Sequence, residues 1–356
     1  MKKLLTFCIG LIWILAACAP LTIATDKSIT ITDALDRQVT LGGNPSRIVI
    51  VGKQAPMLTN FLYLFETAGE KLTALEKRTQ TAEDFLEIID ESIAGKYLLE
   101  KGAGAEQVAP LNPDVVIMKA SMRETIGKPM EDLSMPVVYV EFENTDQIYR
   151  DIRIFAEILK EENRGEQLIS SYEQLFKQIE EKVDKDSIKP SVLILQAVSA
   201  DQKYVFSLPD VNWLQTDLIE KAGGSAVWKE ANATGSWADV NMEQISNWDP
   251  DLIYIVNYQG KAPEIVSSLE KDEIWMNLKA VKNYKLYAFA FDYLSWDQPD
   301  PRWILGYTWM AFRQNPQNFS SQEIQSMVNE FYEKFYDLDK PVIDKNISSK
   351  IANYLK

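Results

Sequence analysis

The feature that most constrains the fold of this chain is a segment that occurs twice. Residues 106–117 begin with Glu-Gln and reach Pro-Asp seven positions after the glutamate, and residues 243–254 repeat this arrangement. In both copies Pro-Asp opens an apolar run typical of a buried strand, and the Glu-Gln pair lies on a short helix before it. The repetition predicts two similar lobes, although helix–Pro-Asp–strand joints are also common in α/β proteins generally.

Apolar strand candidates alternate with helical segments in both halves of the chain. A hairpin at 29–41 precedes the first run. The strand candidates are residues 47–51, 71–75, 113–118, 136–140, 191–195, 251–255 and 285–289. This alternation favours a parallel sheet in an α/β lobe for the first run, and the second run is also α/β.

A long helical region separates the two runs. From about residue 145 to residue 185, apolar side chains recur at three- and four-residue steps, with a break near Gly165, and Pro190 ends the region. We therefore predict an α/β fold of two Rossmann-like lobes joined by one long interdomain helix. The expected divisions are a leader at 1–17, a tether at 18–28, an N-terminal lobe at 29–144, a linking helical region at 145–189, and a C-terminal lobe with terminal helices at 190–356.

The first residues have the layout of a secretory signal. Lys2 and Lys3 precede an apolar run at 4–17 that is shorter than a membrane span. The run ends in Leu-Ala-Ala before Cys18, which resembles a bacterial lipobox, whose cysteine is lipidated and becomes the new N-terminus. Acyl chains contribute about 0.8 kcal/mol per buried methylene, so several would hold the protein at a membrane surface. The alternatives are an ordinary signal peptide with an incidental cysteine, or an uncleaved anchor.

The sequence lacks the residues that most metal and hydrolytic sites use. It has no histidine, and its two cysteines are Cys8 in the leader and Cys18 at the expected lipidation site. Ser-His-Asp hydrolysis, histidine-ligated zinc or haem, thiol catalysis and disulfides in the mature body are therefore excluded. We expect no cofactor, no metal held by protein side chains and no enzymatic activity.

The charge balance argues against nucleic-acid binding. The net charge is −15, and the mature side chains would carry −17 once Lys2 and Lys3 are removed. Binding to duplex nucleic acid requires clustered Lys and Arg that displace counterions, and this chain has the opposite excess. The acidity suits a soluble surface protein with carboxylates for a basic partner.

Several stretches, taken in order, resemble the class III periplasmic-type binding proteins of the iron-siderophore, cobalamin and haem ABC importers. They are the hairpin at 31–39, residues 45–50, both repeated segments and residues 274–287. The resemblance covers nearly the whole mature chain. One departure is Asp36, which stands where the family usually has glycine before the arginine.

The resemblance implies a helical-backbone metal-receptor fold, with ligand held between two rigid lobes. It also implies an exposed glutamate on each lobe that pairs with arginines of the membrane permease, and by position these are Glu106 and Glu243. The alternative is that both are solvated carboxylates without a partner. The implied partners are the permease and its ATPase, and we expect an extracytoplasmic monomer held by lipid on Cys18, at a periplasmic membrane face or a Gram-positive surface.

Loops that follow predicted strands supply the candidates for the cleft wall. Trp237 lies where cobalamin-binding relatives place an aromatic residue, and Trp296 lies in a proline-rich loop, although lone tryptophans are commonly core residues. Arg302 is suited to clamp an anion, with a structural ion pair as its alternative. The predicted ligand contacts are Gln54, Tyr97, Lys119, Ser121, Phe206, Trp237, Tyr258, Trp296 and Arg302.

The predicted function is capture of a metal chelate, with a ferric siderophore first and cobalamin or another corrinoid next. Aromatic walls suit a pre-assembled chelate because its metal already carries its own ligands. An oxyanion such as molybdate or tungstate would instead require Arg, Lys and backbone N–H donors. Haem is the remaining alternative, weakened by the absence of histidine.

A surface hydrolase with paired carboxylates is the alternative class of function. The 52 acidic residues supply such pairs by composition alone, but no pair is singled out. The glycines at 102 and 104 lack the third glycine of a nucleotide fingerprint, and a phosphate loop ending in Lys-Ser or Lys-Thr is missing.

Overall fold

The computed structural model describes residues 28–77, 83–184, 188–200, 203–231 and 235–356. The predicted leader at 1–17, the lipidation site Cys18 and positions 19–27 of the tether lie outside the described residues. Among the helices in these ranges, none combines the length and apolar character needed to cross a membrane.

The N-terminal lobe is built on a parallel sheet that has five strands in the described ranges. A hairpin of β1 (Ile29–Thr32) and β2 (Gln38–Leu41) precedes the sheet. The sheet strands are β3 (Ile48–Ile50), β4 (Leu72–Glu76), β5 (Tyr97–Leu99), β6 (Val115–Lys119) and β7 (Val137–Val140). Their order is β5-β4-β3-β6-β7. The strands that follow β3 are therefore added first on one side of it, as β4 and β5, and then on the other side, as β6 and β7. Such a change of side leaves a crevice at the carboxyl ends of the strands.

The departure from the family pattern at Asp36 fits the turn of the hairpin. Asp36 has a φ of 57°, in the left-handed region that glycine favours and that Asp tolerates better than most residues. The Asp33 carboxylate accepts hydrogen bonds from the backbone N–H groups of Leu35 (2.9 Å) and Arg37 (3.1 Å). These bonds close the turn with aspartate at position 36.

The linking region contains two helices between residues 145 and 184, a stretch the structure describes without a gap. Helix α1 (Ala55–Leu62) lies in the N-terminal lobe, α2 (Thr145–Leu159) follows the sheet, and α3 (Glu162–Glu180) leads to the second lobe. The break falls at Lys160, which has a φ of 61°, so its predicted position near Gly165 is corrected. Gly165 lies inside α3, where an added Cβ would approach the Ala156 Cβ to 2.7 Å. The glycine therefore permits close packing of α2 and α3.

The C-terminal lobe has a mixed sheet. In chain order its elements are β8 (Ser191–Ala200), β9 (Lys203–Leu208), α4 (Leu214–Lys221), β10 (Ser225–Ala226), β11 (Ala238–Val240), α5 (Met242–Trp248), β12 (Leu252–Val256), α6 (Ala262–Leu269) and β13 (Leu286–Ala288). The main strand order is β11-β9-β8-β12-β13, with β10 paired to β8. Strands β8, β12 and β13 are parallel, whereas β9 runs antiparallel to β8 and β11.

Two longer helices complete the molecule. They are α7 (Trp303–Gln314) and α8 (Ser321–Tyr336). Shorter helical segments are Ala68–Lys71, Leu86–Ile89, Ala105–Val108, Lys128–Asp132, Lys279–Lys282, Lys340–Ile343 and Ser349–Ile351. One apolar core runs through both lobes, and a smaller core lies in the N-terminal lobe.

The two repeated segments form the same joint in both lobes. The Asp114 carboxylate, just before β6, accepts a hydrogen bond from the N–H of Arg47 at the start of β3 (3.0 Å). The Asp251 carboxylate, just before β12, accepts one from the N–H of Ser191 at the start of β8 (2.8 Å). Each aspartate thereby ties the beginnings of two neighbouring parallel strands. The internal repetition is thus a repetition of structure.

Candidate functional site

A cavity of about 430 Å³ lies between the lobes. Every strand of the N-terminal sheet contributes to it through the loop at its carboxyl end, because parallel strands end at one edge of a sheet. The N-terminal lining residues are Gly52, Lys53, Gln54, Pro56, Met57, Glu76, Lys77, Lys101, Gly102, Met122 and Glu143. This lobe therefore supplies a polar wall of charged and amide side chains.

The C-terminal lobe supplies the opposite wall. Strand β9 ends next to Gln196 of β8, at the level where β12 also ends, so the loops that follow β9 and β12 meet at one edge. The C-terminal lining residues are Trp213, Leu214, Gln215, Trp237, Tyr258, Gln298 and Pro299. This wall is mainly aromatic, with two amide side chains.

Three lysines give the N-terminal wall its positive charge. They follow three adjacent strands: Lys53 after β3, Lys77 after β4 and Lys101 after β5. Lys77 pairs with Glu100. Lys53 and Lys101 are exposed, and within the described part of the chain neither forms an ion pair. Both ammonium groups are therefore available to an anion.

Two carboxylates also line the cavity, but both are held by the protein. Glu76 is buried, and its Oε1 accepts hydrogen bonds from the N–H groups of Gly52 (2.7 Å) and Gly102 (3.1 Å). The φ of Gly52 is 93°, which only glycine adopts readily. Glu143 pairs with Lys119 at 2.8 Å. Glu143 is thus neutralised, and the accessible lysines outnumber the remaining carboxylate.

The aromatic wall is a continuous chain of edge-to-face contacts. The ring centroids of Trp213 and Trp237 lie 5.7 Å apart, and those of Trp237 and Tyr258 lie 6.1 Å apart. Burial raises the pKa of Tyr258 well above its ordinary value, so the phenol stays protonated. The wall therefore offers flat, uncharged surface to a ligand.

Each lobe also directs a helix N-terminus at the cavity. Gln54 is the N-cap of α1 and Trp213 is the N-cap of α4, and both residues line the cavity. The positive ends of the two helix dipoles add to the attraction for an anion. Gln54 has a φ of 61°, a left-handed conformation that costs a non-glycine residue about 1–2 kcal/mol. Such strain is common at functional sites.

Three of the predicted ligand contacts line the cavity: Gln54, Trp237 and Tyr258. Four others lie elsewhere. Lys119 is buried behind Glu143, and Ser121 is exposed one position before Met122. Tyr97 is exposed on β5, and Phe206 packs on Trp275 with a centroid distance of 5.0 Å. None of these four residues lines the cavity.

Trp296 and Arg302 are also placed outside the cavity, in a buried polar network. Trp296 donates its indole N–H to Asp292 at 3.1 Å. The Arg302 guanidinium is fully buried between Asp292 (3.2 Å) and Asp300 (2.8 Å) and stacks on the Phe85 ring at 4.3 Å. Arg302 therefore forms a structural ion pair, which was the alternative to clamping an anion. Its contact with Phe85 joins the loop before α7 to the N-terminal lobe.

Sequence reasoning missed several residues that line the cavity. Lys53 and Lys77 follow within three residues of strands that the sequence predicted, and this position was a signal, whereas Lys101 follows β5, which was not among the strand candidates. Trp213 and Gln298 had no such signal, because the former opens a helix after an unpredicted strand and the latter lies in an irregular loop.

The two glutamates of the repeated segments lie on the surface. Glu106 is in the first turn of the helical segment Ala105–Val108, and Glu243 is in the first turn of α5. Both side chains are exposed. Both helices begin at the sheet edge that faces the cavity, since Ala105–Val108 follows β5 and α5 follows β11. Their role in docking stays a prediction.

Two α/β lobes, a connecting region of two helices and a cavity between the lobes together have the architecture of a substrate-binding protein. The chain belongs to the periplasmic binding protein family, whose model matches residues 98–293, and its relatives are class III substrate-binding proteins of ABC importers. Members of this family serve transport rather than catalysis, bind small ligands outside the cytoplasm and work with a permease and an ATPase.

Relatives with different ligands resemble this chain. The molybdate-binding protein MolA of Haemophilus influenzae is 23% identical over 86% of this chain and 90% of its own length. The Fe(3+)-citrate-binding protein YfmC of Bacillus subtilis is 26% identical over 51% of this chain and 55% of its own length.

Solved structures show the same fold. A periplasmic solute-binding protein from Veillonella parvula matches with a TM-score of 0.72 and 24% identity, covering 92% of this chain and 99% of that one. MolA bound to molybdate matches with a TM-score of 0.69 and 22% identity, covering 87% of this chain and 98% of that one. The two-lobe architecture expected from the sequence is confirmed.

Proposed function

We propose that this chain captures an anionic metal chelate, a ferric siderophore in the first place, for an ABC importer. The observation that carries the proposal is the contrast between the two cavity walls. Lys53 and Lys101 offer accessible ammonium groups on one side, and Trp213, Trp237 and Tyr258 offer flat apolar surface on the other. A chelate with anionic oxygens around the metal and apolar arms matches both walls.

The size of the cavity supports an organic ligand. Its volume of about 430 Å³ falls within the range of about 300–1,000 Å³ that is typical of sites for drug-sized molecules. A bare tetrahedral oxyanion would fill only part of this space and would leave the aromatic wall without contact. A corrinoid would cover the tryptophans, but a cobalamin has only one anionic group, its phosphodiester, and would match the lysines less well than a chelate with several anionic oxygens.

An oxyanion is the second candidate, favoured by the similarity to a molybdate-binding protein over most of the chain. Lys53, Lys101 and the two helix N-termini at Gln54 and Trp213 would all attract such an anion. The aromatic wall is the feature that it would not use. A direct comparison of ligands therefore separates the two candidates.

The test is a fluorescence titration of the purified chain with four probes: the ferric complex of a tricatecholate siderophore, ferric citrate, cobalamin and sodium molybdate. Trp213 and Trp237 lie in the cavity wall, so a bound ferric chelate should quench their emission at micromolar concentration or below. Binding of a ferric chelate, with weak or no binding of cobalamin and molybdate, supports the proposal. Binding of molybdate alone would replace it with the oxyanion function.

The proposal places the protein outside the cytoplasm, anchored by lipid on Cys18 and docked on the permease through Glu106 and Glu243. The apolar leader before Cys18 supports the anchor. The exposed position of both glutamates, at matching places in two similar lobes, supports docking. Mass spectrometry of the membrane-extracted protein should find the N-terminal peptide beginning at an acylated Cys18. A peptide beginning elsewhere, or an unmodified cysteine, would contradict the anchor.

A further inference from the structure

Asp297 is a fully buried carboxylate directly behind the cavity wall. Its Oδ2 accepts hydrogen bonds from Nε2 of Gln215 at 3.2 Å and from the hydroxyl of Tyr258 at 3.0 Å. Both donors line the cavity, whereas Asp297 lies behind them. One oxygen atom therefore connects two residues of the wall that come from different elements, since Gln215 belongs to α4 and Tyr258 follows β12.

The connection extends from Tyr258 to both tryptophans of the wall. Tyr258 meets Trp237 edge to face, and Trp237 meets Trp213 in the same way, with interplanar angles of 70° and 71°. Trp213 lies two residues before Gln215, so the chain of contacts returns to the helix that Asp297 already holds. This closed arrangement fixes ring orientations that each contact alone would leave free.

A carboxylate in this position contributes little net stability, because burial penalises its charge. Burial raises the pKa of Asp297, and the hydrogen bonds from Gln215 and Tyr258 act in the opposite direction. Apolar residues often stabilise a core as well as a buried charge does. What a carboxylate adds is direction, because it accepts two hydrogen bonds at a defined point.

We infer that Asp297 is a positioning residue of the ligand cavity, which holds Gln215 and Tyr258, and through Tyr258 the rings of Trp237 and Trp213, in the arrangement that receives the ligand. The inference rests on the proposed function, since a wall that is ordered beforehand raises affinity by lowering the entropy lost on binding. Asp297 itself need not touch the ligand.

Asp292 provides a matched control within the same loop. It is also a buried aspartate, but its side chain bonds Trp296, Arg302 and Tyr332, which lie outside the cavity wall. Replacing either aspartate removes a buried charge and weakens the fold. A loss of ligand affinity should follow only from the change at Asp297.

The experiment compares Asp297→Ala, Tyr258→Phe, the double variant and Asp292→Ala, each titrated with the ferric tricatecholate complex and melted thermally. Alanine is used because asparagine would keep an oxygen that accepts the same hydrogen bonds. We expect Asp297→Ala and Tyr258→Phe each to weaken binding about tenfold, as the loss of one charge-assisted hydrogen bond does. The double variant should bind no worse than the weaker single variant, since both changes break the same connection. Asp292→Ala should lower the melting temperature and leave affinity unchanged.

Additive losses in the double variant, or an Asp297→Ala variant that differs from wild type only in melting temperature, would overturn the inference. A ligand-free readout separates this failure from failure of the proposed function. Asp297→Ala and Tyr258→Phe should change the near-ultraviolet circular dichroism of the tryptophans in the same way, and Trp237→Phe should remove that change. If the two variants share this spectral change while wild type binds no chelate, the positioning role holds and the proposed function fails.

Discussion

Lys53 and Lys101 carry the electrostatic part of the proposed site. Replacing both with alanine should weaken binding of an anionic ferric chelate by about tenfold or more, since hydrogen bonds between charged groups contribute about 1.5–3 kcal/mol. The binding of wild type should also weaken as salt is raised, because both ammonium groups are exposed. Titration of both proteins at two salt concentrations measures these effects.

The control for the lysine variant is Lys285→Ala, which removes an exposed lysine outside the cavity lining. It has the same effect on net charge as either single lysine change. Equal affinity of Lys53→Ala, Lys101→Ala and Lys285→Ala would show that the cavity lysines do not contact the ligand.

Arg302 is a residue whose role is structural. Replacing it with methionine leaves Asp292 and Asp300 buried without their cation, so the free energy of unfolding should fall by about 3–5 kcal/mol. The matched control is Arg153→Met, which breaks the exposed pair with Glu166 and should cost about 1 kcal/mol at most. Urea unfolding measures the free energy of unfolding of both variants. Equal small losses in the two variants would contradict the structural role of Arg302.

At the level of secondary-structure elements, the carboxylates of Asp114 and Asp251, which tie neighbouring strands together, predict that the stability of the fold depends on pH. Burial would raise the pKa of Asp114, but hydrogen bonds from Arg47 and Ser46 hold it at about 2. The pKa of Asp251 is also lowered, by Lys279 and Ser191 acting against burial. Because the unfolded value is about 3.9, these carboxylates stabilise the fold above about pH 4, and this contribution is lost as the pH falls toward 2.

Asp114→Asn and Asp251→Asn should therefore reduce the free energy of unfolding at pH 7. The difference from wild type should shrink between about pH 4 and pH 2. Asp132→Asn serves as the control, because Asp132 is exposed and has no ion pair in the described ranges. A difference that stays constant across this interval, measured by urea unfolding, would rule out the carboxylates as its source.

The order of helix, Pro-Asp and strand at both joints could be predicted because it is local, whereas the hydrogen bonds of Asp114 and Asp251 to strands 67 and 60 residues earlier could not. Each needs only a helix end, a residue that tolerates the left-handed region and a Pro-Asp pair, and Asn112 (φ 48°) and Asp249 (φ 37°) fill the same position in the two lobes. Strands β9 and β11 could not be predicted in this way. They are short and partly exposed, and they are stabilised by tertiary pairing, of β9 with β8 and of β11 with β9, rather than by an apolar pattern.

The site was predictable at the level of loops but not of side chains. Residues after strand ends were rightly sought at one edge of each sheet, and Gln54 and Tyr258 line the cavity there. Phe206 was also predicted to follow a strand, but its ring packs on Trp275 and does not line the cavity. Which side chain turns toward a cleft depends on long-range packing, as Trp296 and Trp237 show, since one is fully buried and the other lines the cavity.

At the scale of the whole molecule, the proposed docking through Glu106 and Glu243 would require both lobes to meet the permease together. Replacing Glu106 and Glu243 with alanine should lower uptake of labelled iron by cells about tenfold or more and leave ligand affinity unchanged, because a charged interface pair is removed on each lobe. Glu270→Ala removes another exposed glutamate and should do neither. A double variant that loses ligand affinity instead would contradict the docking role.

Native mass spectrometry of the purified chain with the ferric tricatecholate complex tests whether the chelate binds between the two walls. Wild type should form a complex of one chain with one chelate. A much lower yield of that complex is expected for the Lys53→Ala and Lys101→Ala double variant and for Trp237→Ala, at the same protein and ligand concentrations. The absence of the complex for wild type, or its formation in equal amounts by all three proteins, would contradict binding of the chelate between these two walls.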